Sequence, residues 1–221
     1  MNIKADAIFI LTAIQGKEYI TLRTKWRFSE PMSMQSSMMD ELTDLLVQKS
    51  LKVADSPIFE LVSGKKSNVY IDCKKTTKNA RGAYLIGNII FERIAHLDVD
   101  AIGGLTLGAD PIADAVAYTS IVKGKPVNSF SVRKKQKTHG LKKMIEGDVN
   151  TGDRVVIVDD VVTTGQSTIE AIESARAEGL QIVKVIALVD RQEGGRENIL
   201  KYDVDFEAII TKQDLLEHGR S

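Results

Sequence analysis

VIVDDVVTTGQS, residues 156–167, is the stretch that decides the fold of this chain. An apolar run ends in two adjacent acids, Asp159 and Asp160, and a turn of threonine, glycine and serine then leads into a helical pattern. Strand, turn and helix in this order are typical of a parallel sheet, in which ligands bind at the carboxyl ends of the strands. The segment therefore predicts an α/β fold with a binding site around residues 159–167.

Strand and helix patterns alternate on both sides of this segment. Predicted strands cover residues 101–105, 127–132, 154–158, 182–189 and 204–210, and predicted helices cover residues 40–49, 80–95, 111–118 and 167–178. Because such alternation requires crossover connections, we expect a mostly parallel twisted sheet with helices on both faces. Two β-like runs, residues 58–62 and 69–73, predict a small N-terminal hairpin ahead of it.

Residues 1–37 differ in texture from the rest of the chain. They contain an apolar run, an alternating run and a patch rich in methionine and serine. We interpret them as an N-terminal extension, in the form of a hairpin or a linker, ahead of one domain at residues 38–221. We expect this extension to be dispensable.

Composition narrows the class of protein. The 221 residues suit one compact domain, and 30 basic residues balance 30 acidic ones, so net charge gives no reason to expect a nucleic-acid partner. One cysteine, Cys73, excludes an internal disulfide, and no Cys/His cluster has zinc-site spacing. The apolar run at residues 7–14 is too short to span a bilayer. We expect a cytoplasmic protein without a membrane partner.

The chemistry of residues 159–167 points to a phosphorylated sugar. Gly165 allows an unusual turn in which backbone N–H groups converge at the positive end of the next helix, and this arrangement suits a phosphate monoester. Carboxylates at the end of a buried strand are costly unless sugar hydroxyls or a divalent ion pair with them. In the alternative interpretation, Asp160 merely turns the chain and Ser167 caps the helix.

This segment resembles the phosphoribosyl pyrophosphate motif of type I phosphoribosyltransferases. The resemblance implies the type I phosphoribosyltransferase fold. It implies that Asp159 and Asp160 lie on the ribose side of the donor. It also implies a loop around the 5-phosphate, formed by Val161, Val162, Thr163, Thr164, Gly165, Gln166 and Ser167.

A basic loop, RKKQKTHG at residues 133–140, lies upstream of the phosphate segment. Alone, it reads as an ordinary solvated run of charge, but a reaction that expels pyrophosphate needs mobile positive charge on its leaving group. The loop is similar to the RKxxKxHG catalytic loop of orotate phosphoribosyltransferases. The resemblance implies that Lys137 and His139 act on the leaving group, that Arg133 and Lys134 bind the pyrophosphate, and that the loop serves the neighbouring site of a homodimer.

Two further stretches point to orotate as the base. FELVSGKKSNVYID, residues 59–72, resembles the N-terminal hood of orotate phosphoribosyltransferases, and LVDRQEGG, residues 188–195, is similar to their late strand-end motif. A planar anionic base needs a bidentate cation, so Arg191 is a candidate orotate ligand together with Thr163. The alternative for Arg191 is a salt bridge to Asp190 or Glu193.

A third stretch, GLTLGADP at residues 104–111, resembles the pyrophosphate-side turn of the family, with Asp110 as the expected helix N-cap. Several positions depart from the family pattern. Some members carry a lysine where this chain has Val62 and a Tyr-Lys pair where it has Thr106 and Leu107. The hood usually shows proline and an aromatic residue in place of Asn68 and Val69.

The resemblance implies transfer of a phosphoribosyl group from phosphoribosyl pyrophosphate to orotate, which gives orotidine 5′-monophosphate and pyrophosphate. It implies Mg²⁺ as the cofactor, held mainly by the substrate rather than by protein ligands. Two alternatives remain open: the same chemistry on a purine or on uracil, and a non-catalytic regulator that senses phosphoribosyl pyrophosphate.

Overall fold

The computed structural model describes residues 7–14, 17–24, 32–60, 64, 66–134 and 144–220, with side chains described from residue 36 onward. Strands β1 (Ala7–Ile14) and β2 (Lys17–Thr24) pair antiparallel in a two-stranded sheet of their own. Helix α1 (Met32–Lys49) follows and crosses the boundary expected at residue 37. The patch rich in methionine and serine is therefore helical, and the helix expected at residues 40–49 begins earlier.

Short antiparallel strands form the hood. Strand β3 (Leu51–Val53) pairs with β6 (Val69–Ile71), and β4 (Phe59–Glu60) pairs with β5 (Lys66–Ser67). Helix α2 (Lys74–Thr77) is a single turn that leads from the hood to the main sheet. Both β-like runs contain strands, which are shorter than predicted, but the hairpin expected between them is wrong, because the second run pairs with β3 and the first pairs with β5.

The main sheet has six strands: β7 (Ala101–Leu105), β8 (Asn128–Val132), β9 (Ile145–Gly147), β10 (Arg154–Val162), β11 (Gln181–Asp190) and β12 (Phe206–Thr211). Their order is β12-β11-β10-β7-β8-β9, and β9 alone among these strands runs antiparallel to its neighbour. The chain moves outward from β7 to one edge and from β10 to the other. The β7–β10 pair is thus the switch point, where ligands of such sheets bind.

Helices cover both faces of this sheet, as the sequence predicts. They are α1, α3 (Ala80–Ile94), α4 (Asp110–Val122) and α7 (Lys212–His218) on one face, and α5 (Gln166–Ala177) and α6 (Gly195–Leu200) on the other. Strand β10 serves both cores: Val156 and Val158 pack on the first face, and Val155 and Ile157 pack on the second. Among the helices described, none has the length and apolar character that crossing a membrane requires.

Helix α1 belongs to the core of the domain. Leu42 and Leu46 lie one turn apart on the same face and are fully buried at 0% exposure. At the surface, Glu41 accepts two hydrogen bonds of 2.6 Å from the guanidinium of Arg81 in α3. The α1 helix therefore contributes both apolar packing and a polar contact to the first face.

These contacts predict where the chain can be shortened. A variant chain beginning at Met32 keeps all of α1, so we expect its free energy of unfolding to stay within about 1 kcal/mol of the full chain. Leu46→Ala in the full chain should lower that free energy by about 2–5 kcal/mol, because it opens a cavity in the core. Urea unfolding measures both. A shortened chain destabilised as much as Leu46→Ala would show that the hairpin supports the domain.

Candidate active site

Two buried carboxylates lie near the carboxyl end of β10. The predicted strand ended at residue 158, which would place Asp159 and Asp160 in the turn after it. The observed strand continues to Val162, so both acids lie inside it. Their exposures are 6% and 8%. Adjacent residues of a strand point to opposite faces. The two acids therefore meet different surroundings.

Asp159 points towards helix α5. Its Oδ2 accepts a hydrogen bond of 2.7 Å from the hydroxyl of Thr168, and its Oδ1 accepts one of 3.0 Å from the Asp160 N–H. Burial, followed by the charge of Asp160, raises the pKa of Asp159 to about 7, against the opposing effect of these hydrogen bonds. The Thr168 hydroxyl donates its proton to this carboxylate, so this proton is not available to a phosphate.

Asp160 points towards the hood and the turn after β7. Its Oδ2 lies 3.4 Å from the ammonium of Lys74, the first residue of α2, and its Oδ1 accepts a 3.0 Å hydrogen bond from the Val161 N–H. A Cβ atom on Gly108 would lie 2.5 Å from Asp160 Oδ1. Glycine therefore lets the turn after β7 approach this carboxylate. Because Asp160 lies inside β10, it does not turn the chain.

The turn after β10 comprises Thr163, Thr164 and Gly165. Gly165 has φ +83° and is the N-cap of α5 without a side-chain cap hydrogen bond, so Ser167 lies in the first turn of the helix and does not cap it. Gln166 and Ser167 are exposed, whereas Val162 is buried within the strand. The free N–H groups of a helix start face this turn, as phosphate binding requires. Of the expected loop of residues 161–167, the first two, Val161 and Val162, belong to strand β10.

The basic loop is described at its first residues. Arg133 follows β8, and its Nη1 lies 3.3 Å from Glu146 Oε1 in β9. Lys134 is exposed and is the last described residue before residue 144. Lys137 and His139 lie outside the described residues, so their roles stay predictions.

Arg191 directly follows β11 and lies beside the end of β10, where the turn of residues 163–165 begins. Its N–H donates a 2.9 Å hydrogen bond to the Val162 carbonyl, and its side chain is 3% exposed. The guanidinium donates to Glu193 Oε1 through Nε at 3.1 Å and Nη2 at 2.9 Å, and Nη2 also reaches the Val69 carbonyl at 3.3 Å. The salt bridge to Glu193 that the sequence left open is therefore formed. The same contacts hold the guanidinium between the late strand and the hood.

Comparisons with known proteins agree on one family. A model of the phosphoribosyl transferase domain matches residues 77–216. An orotate phosphoribosyltransferase of Aquifex aeolicus is 47% identical over 177 residues, which cover 80% of this chain and 97% of that protein. This chain belongs to the orotate phosphoribosyltransferase family.

Solved structures of the family share the fold. A Mycobacterium tuberculosis orotate phosphoribosyltransferase in complex with Fe(III) dicitrate has a TM-score of 0.71 and 35% identity, covering 80% of this chain and 98% of that one. The same enzyme in complex with phosphoribosyl pyrophosphate has a TM-score of 0.66 and 31% identity, covering 81% of this chain and 92% of that one. The type I phosphoribosyltransferase fold expected from the sequence is confirmed.

The pyrophosphate-side turn of this family member differs from the sequence expectation in its cap. Ala109, not Asp110, is the N-cap of α4, and Pro111 lies in the first turn. The Asp110 carboxylate instead accepts a 2.8 Å hydrogen bond from the Ser131 hydroxyl in β8. Asp110 thus ties this turn to the neighbouring strand, from which the basic loop leaves.

The acid pair alone does not form a metal centre in this family member. Across the described residues, no three acidic, histidine or cysteine side chains converge as they do around a bound ion. Mg²⁺ commonly takes one or two carboxylates together with substrate phosphates and water. The residues present therefore fit a metal that arrives with a phosphorylated substrate and do not fit one held by protein ligands alone.

The raised pKa of Asp159 predicts a pH-dependent stability. The folded value of about 7 exceeds the ordinary value of 3.8, so the folded chain holds this proton more tightly than the unfolded chain does. The resulting destabilisation is absent below about pH 4, grows as pH rises towards 7 and is complete above it. Asp159→Asn should therefore raise the free energy of unfolding at about pH 8 by on the order of 2 kcal/mol, and by much less at about pH 5.

Urea unfolding at the two pH values tests this expectation. Asp148→Asn is the matched control, since it removes the same charge from an exposed residue after β9. Equal effects of Asp159→Asn at both pH values, or a loss of stability at the higher one, would contradict the raised pKa.

Proposed function

We propose that this chain transfers the phosphoribosyl group of phosphoribosyl pyrophosphate to orotate, giving orotidine 5′-monophosphate and pyrophosphate in pyrimidine synthesis. The observation that carries the proposal is the buried acid pair, which lies with a glycine turn and a helix start at the switch point of a phosphoribosyltransferase sheet. Membership of the orotate phosphoribosyltransferase family supports orotate as the base.

The donor's ribose and 5-phosphate occupy the end of β10 in this proposal. Asp159 and Asp160 accept hydrogen bonds from the ribose hydroxyls, which supplies the partners that buried carboxylates need. The backbone from Thr163 to Ser167 binds the 5-phosphate at the start of α5. Val161 and Val162 carry the strand into this turn and contribute backbone groups. These residues position the donor and need no nucleophilic side chain.

The leaving pyrophosphate is assigned to the basic loop. As the anomeric bond stretches, negative charge grows on the pyrophosphate and positive charge grows on the ribose ring. Lys137 and His139 stabilise the leaving group, Arg133 and Lys134 hold the pyrophosphate, and the carboxylates of the acid pair stabilise the ring. Mg²⁺ bound to the donor's phosphates supplies further charge neutralisation there.

Orotate is assigned to the region between the phosphate turn and the hood. The Arg191 guanidinium already bridges Glu193 and the Val69 carbonyl of the hood, so it is oriented before the base arrives. A guanidinium fork matches the geometry of a carboxylate. We assign Arg191 to the orotate carboxylate or a ring carbonyl, and Thr163 to a second contact with the base.

A homodimer with shared active sites is part of the proposal. A groove of about 880 Å³ lies along helices α3 and α4, and neither member of the acid pair lines it. Large apolar side chains are exposed on and around it: Tyr84, Leu107, Tyr118, Ile121 and Val122. Exposed apolar clusters of this kind mark protein interfaces. We assign this face to a second copy of the chain, whose basic loop then reaches across to the site.

The cytoplasm remains the proposed compartment. Cys73 is the one cysteine of the chain, and its thiol is free and fully buried at 0% exposure. A free thiol is compatible with a reducing compartment.

The reaction and the base can be tested together by following orotate absorbance with Mg²⁺ and phosphoribosyl pyrophosphate. We expect orotate to be consumed, and adenine, hypoxanthine and uracil to be left unchanged. Asp160→Asn should lower the rate at least about 100-fold, because it removes charge from the ribose side. Asp148 lies beside Asn128 at the amino end of β8, whereas the acid pair lies near the carboxyl end of β10. Asp148→Asn should therefore leave the rate unchanged. Turnover of another base instead of orotate would overturn the base assignment, and donor binding without turnover of any base would favour a regulator.

The loop and the dimer can be tested with two inactive variants. Lys137→Ala should lower kcat about 100-fold and raise the donor KM less than about five-fold, because Lys137 acts on charge that develops in the transition state. If the loop serves the partner's site, mixing unfolded Lys137→Ala and Asp160→Asn chains and refolding them together should restore about a quarter of wild-type activity. Half of the dimers are then mixed, and each has one intact site. No recovery in refolded mixtures that contain mixed dimers would show that the loop serves its own chain.

A further inference from the structure

Lys74 is a cation beside the acid pair that the sequence did not single out. It is the first residue of α2, directly after the hood, and its ammonium lies 3.4 Å from Asp160 Oδ2 and 3.7 Å from Asp72 Oδ1. Its side chain is 51% exposed. The lysine therefore reaches from the hood to the ribose side of the site while its ammonium remains accessible from solvent.

The two acids are served by different kinds of partner. Asp159 receives hydrogen bonds from a hydroxyl and a backbone N–H, whereas Asp160 receives one from a backbone N–H and faces an ammonium. In the part of the chain that the structure describes, Lys74 is the one cation within salt-bridge distance of either carboxylate. Because the charge of a buried carboxylate needs a partner, Lys74 provides it before the donor is bound.

The surroundings of Asp160 connect Lys74 to the pyrophosphate side. Gly108 of the turn after β7 approaches the same carboxylate, with a built Cβ only 2.5 Å from Oδ1. That turn carries Thr106 and Leu107, where some family members have a Tyr-Lys pair, and the hood carries Val62 in place of another lysine. This chain therefore lacks a cation at those two positions. Lys74 lies next to the turn that carries one of them.

A lysine is suited to changing partners. Its ammonium is carried on a flexible stem, and a half-exposed side chain moves by a few ångströms at little cost. A ribose hydroxyl that donates to Asp160 would replace the hydrogen bond that Lys74 now makes to it. The ammonium is then available to the anionic pyrophosphate of the donor, at the same carboxyl ends of the strands.

We propose that Lys74 is a donor-binding residue that pairs with Asp160 in the free protein and moves to the pyrophosphate of phosphoribosyl pyrophosphate when the ribose binds. It supplies positive charge that some other family members place at the positions of Val62 and Leu107. This inference rests on the proposed function, because it takes phosphoribosyl pyrophosphate as the donor.

Three variants test the assignment. Lys74→Met keeps the length of the side chain and removes its charge, Lys74→Arg keeps the charge, and Lys75→Met removes the neighbouring charge as a matched control, since Lys75 is exposed and makes no salt bridge to the acid pair. Calorimetry with Mg²⁺ and phosphoribosyl pyrophosphate, without any base, gives the donor Kd. Steady-state rates with orotate give KM and kcat.

We expect Lys74→Met to raise the donor Kd and KM about ten-fold or more, with kcat and the orotate KM changed less than about three-fold. Lys74→Arg should stay within about three-fold of wild type, and Lys75→Met within about two-fold. Thermal unfolding without donor checks that each variant is folded. Donor affinity unchanged in Lys74→Met, an equal loss in Lys75→Met, or a Lys74→Arg variant as weak as Lys74→Met would overturn the assignment.

The calorimetry also separates this inference from the proposed function. Wild-type protein that binds the donor but does not consume orotate would refute the proposed function, and weaker donor binding by Lys74→Met would still support the lysine assignment. Wild-type protein that does not bind phosphoribosyl pyrophosphate would refute both.

Discussion

Two adjacent carboxylates inside a buried strand are the constraint on which the rest of the site depends. Asp159 and Asp160 sit where apolar valines would pack at no electrostatic cost, so the fold must provide a partner for each acid. Thr168 does so from helix α5 and Lys74 does so from the hood. The strand therefore connects the two layers of helices through its acids as well as through its valines. In the function we propose, ribose hydroxyls supply further partners for these acids, so donor binding should stabilise the folded protein.

Much of the fold could be predicted because its longer strands and helices show a regular spacing of apolar residues in the sequence. The five parallel strands and the helices α1, α3, α4 and α5 follow from alternating patterns, and the glycine turn before α5 follows from TTG after the acids. Elements of one to two turns or of three residues, such as α2 and β9, have too few residues for a period to show. The end of β10 was placed too early because aspartate is uncommon inside strands, and burial with partners outweighed that preference.

Side-chain partners were the least predictable part of the site. The sequence suggested that Arg191 binds an anionic base or pairs with a neighbouring acid. In the structure its guanidinium pairs with Glu193 and also contacts the hood. Lys74 gave no signal, because its 86-residue separation from Asp160 is closed only by the packing of the hood on the sheet. Gly108 likewise became informative only when its distance from that carboxylate was known. Contacts between distant segments depend on tertiary packing, which a local pattern does not contain.

In the function we propose, the acid pair and the glycine turn after β10 hold a phosphoribosyl donor. A crystal structure of the protein with phosphoribosyl pyrophosphate and Mg²⁺ measures this most directly. We expect ribose hydroxyls within about 3.2 Å of the Asp159 or Asp160 carboxylates, and the 5-phosphate against the backbone N–H groups after Thr163. A donor bound with its ribose away from both carboxylates, for example in the groove along α3 and α4, would contradict it.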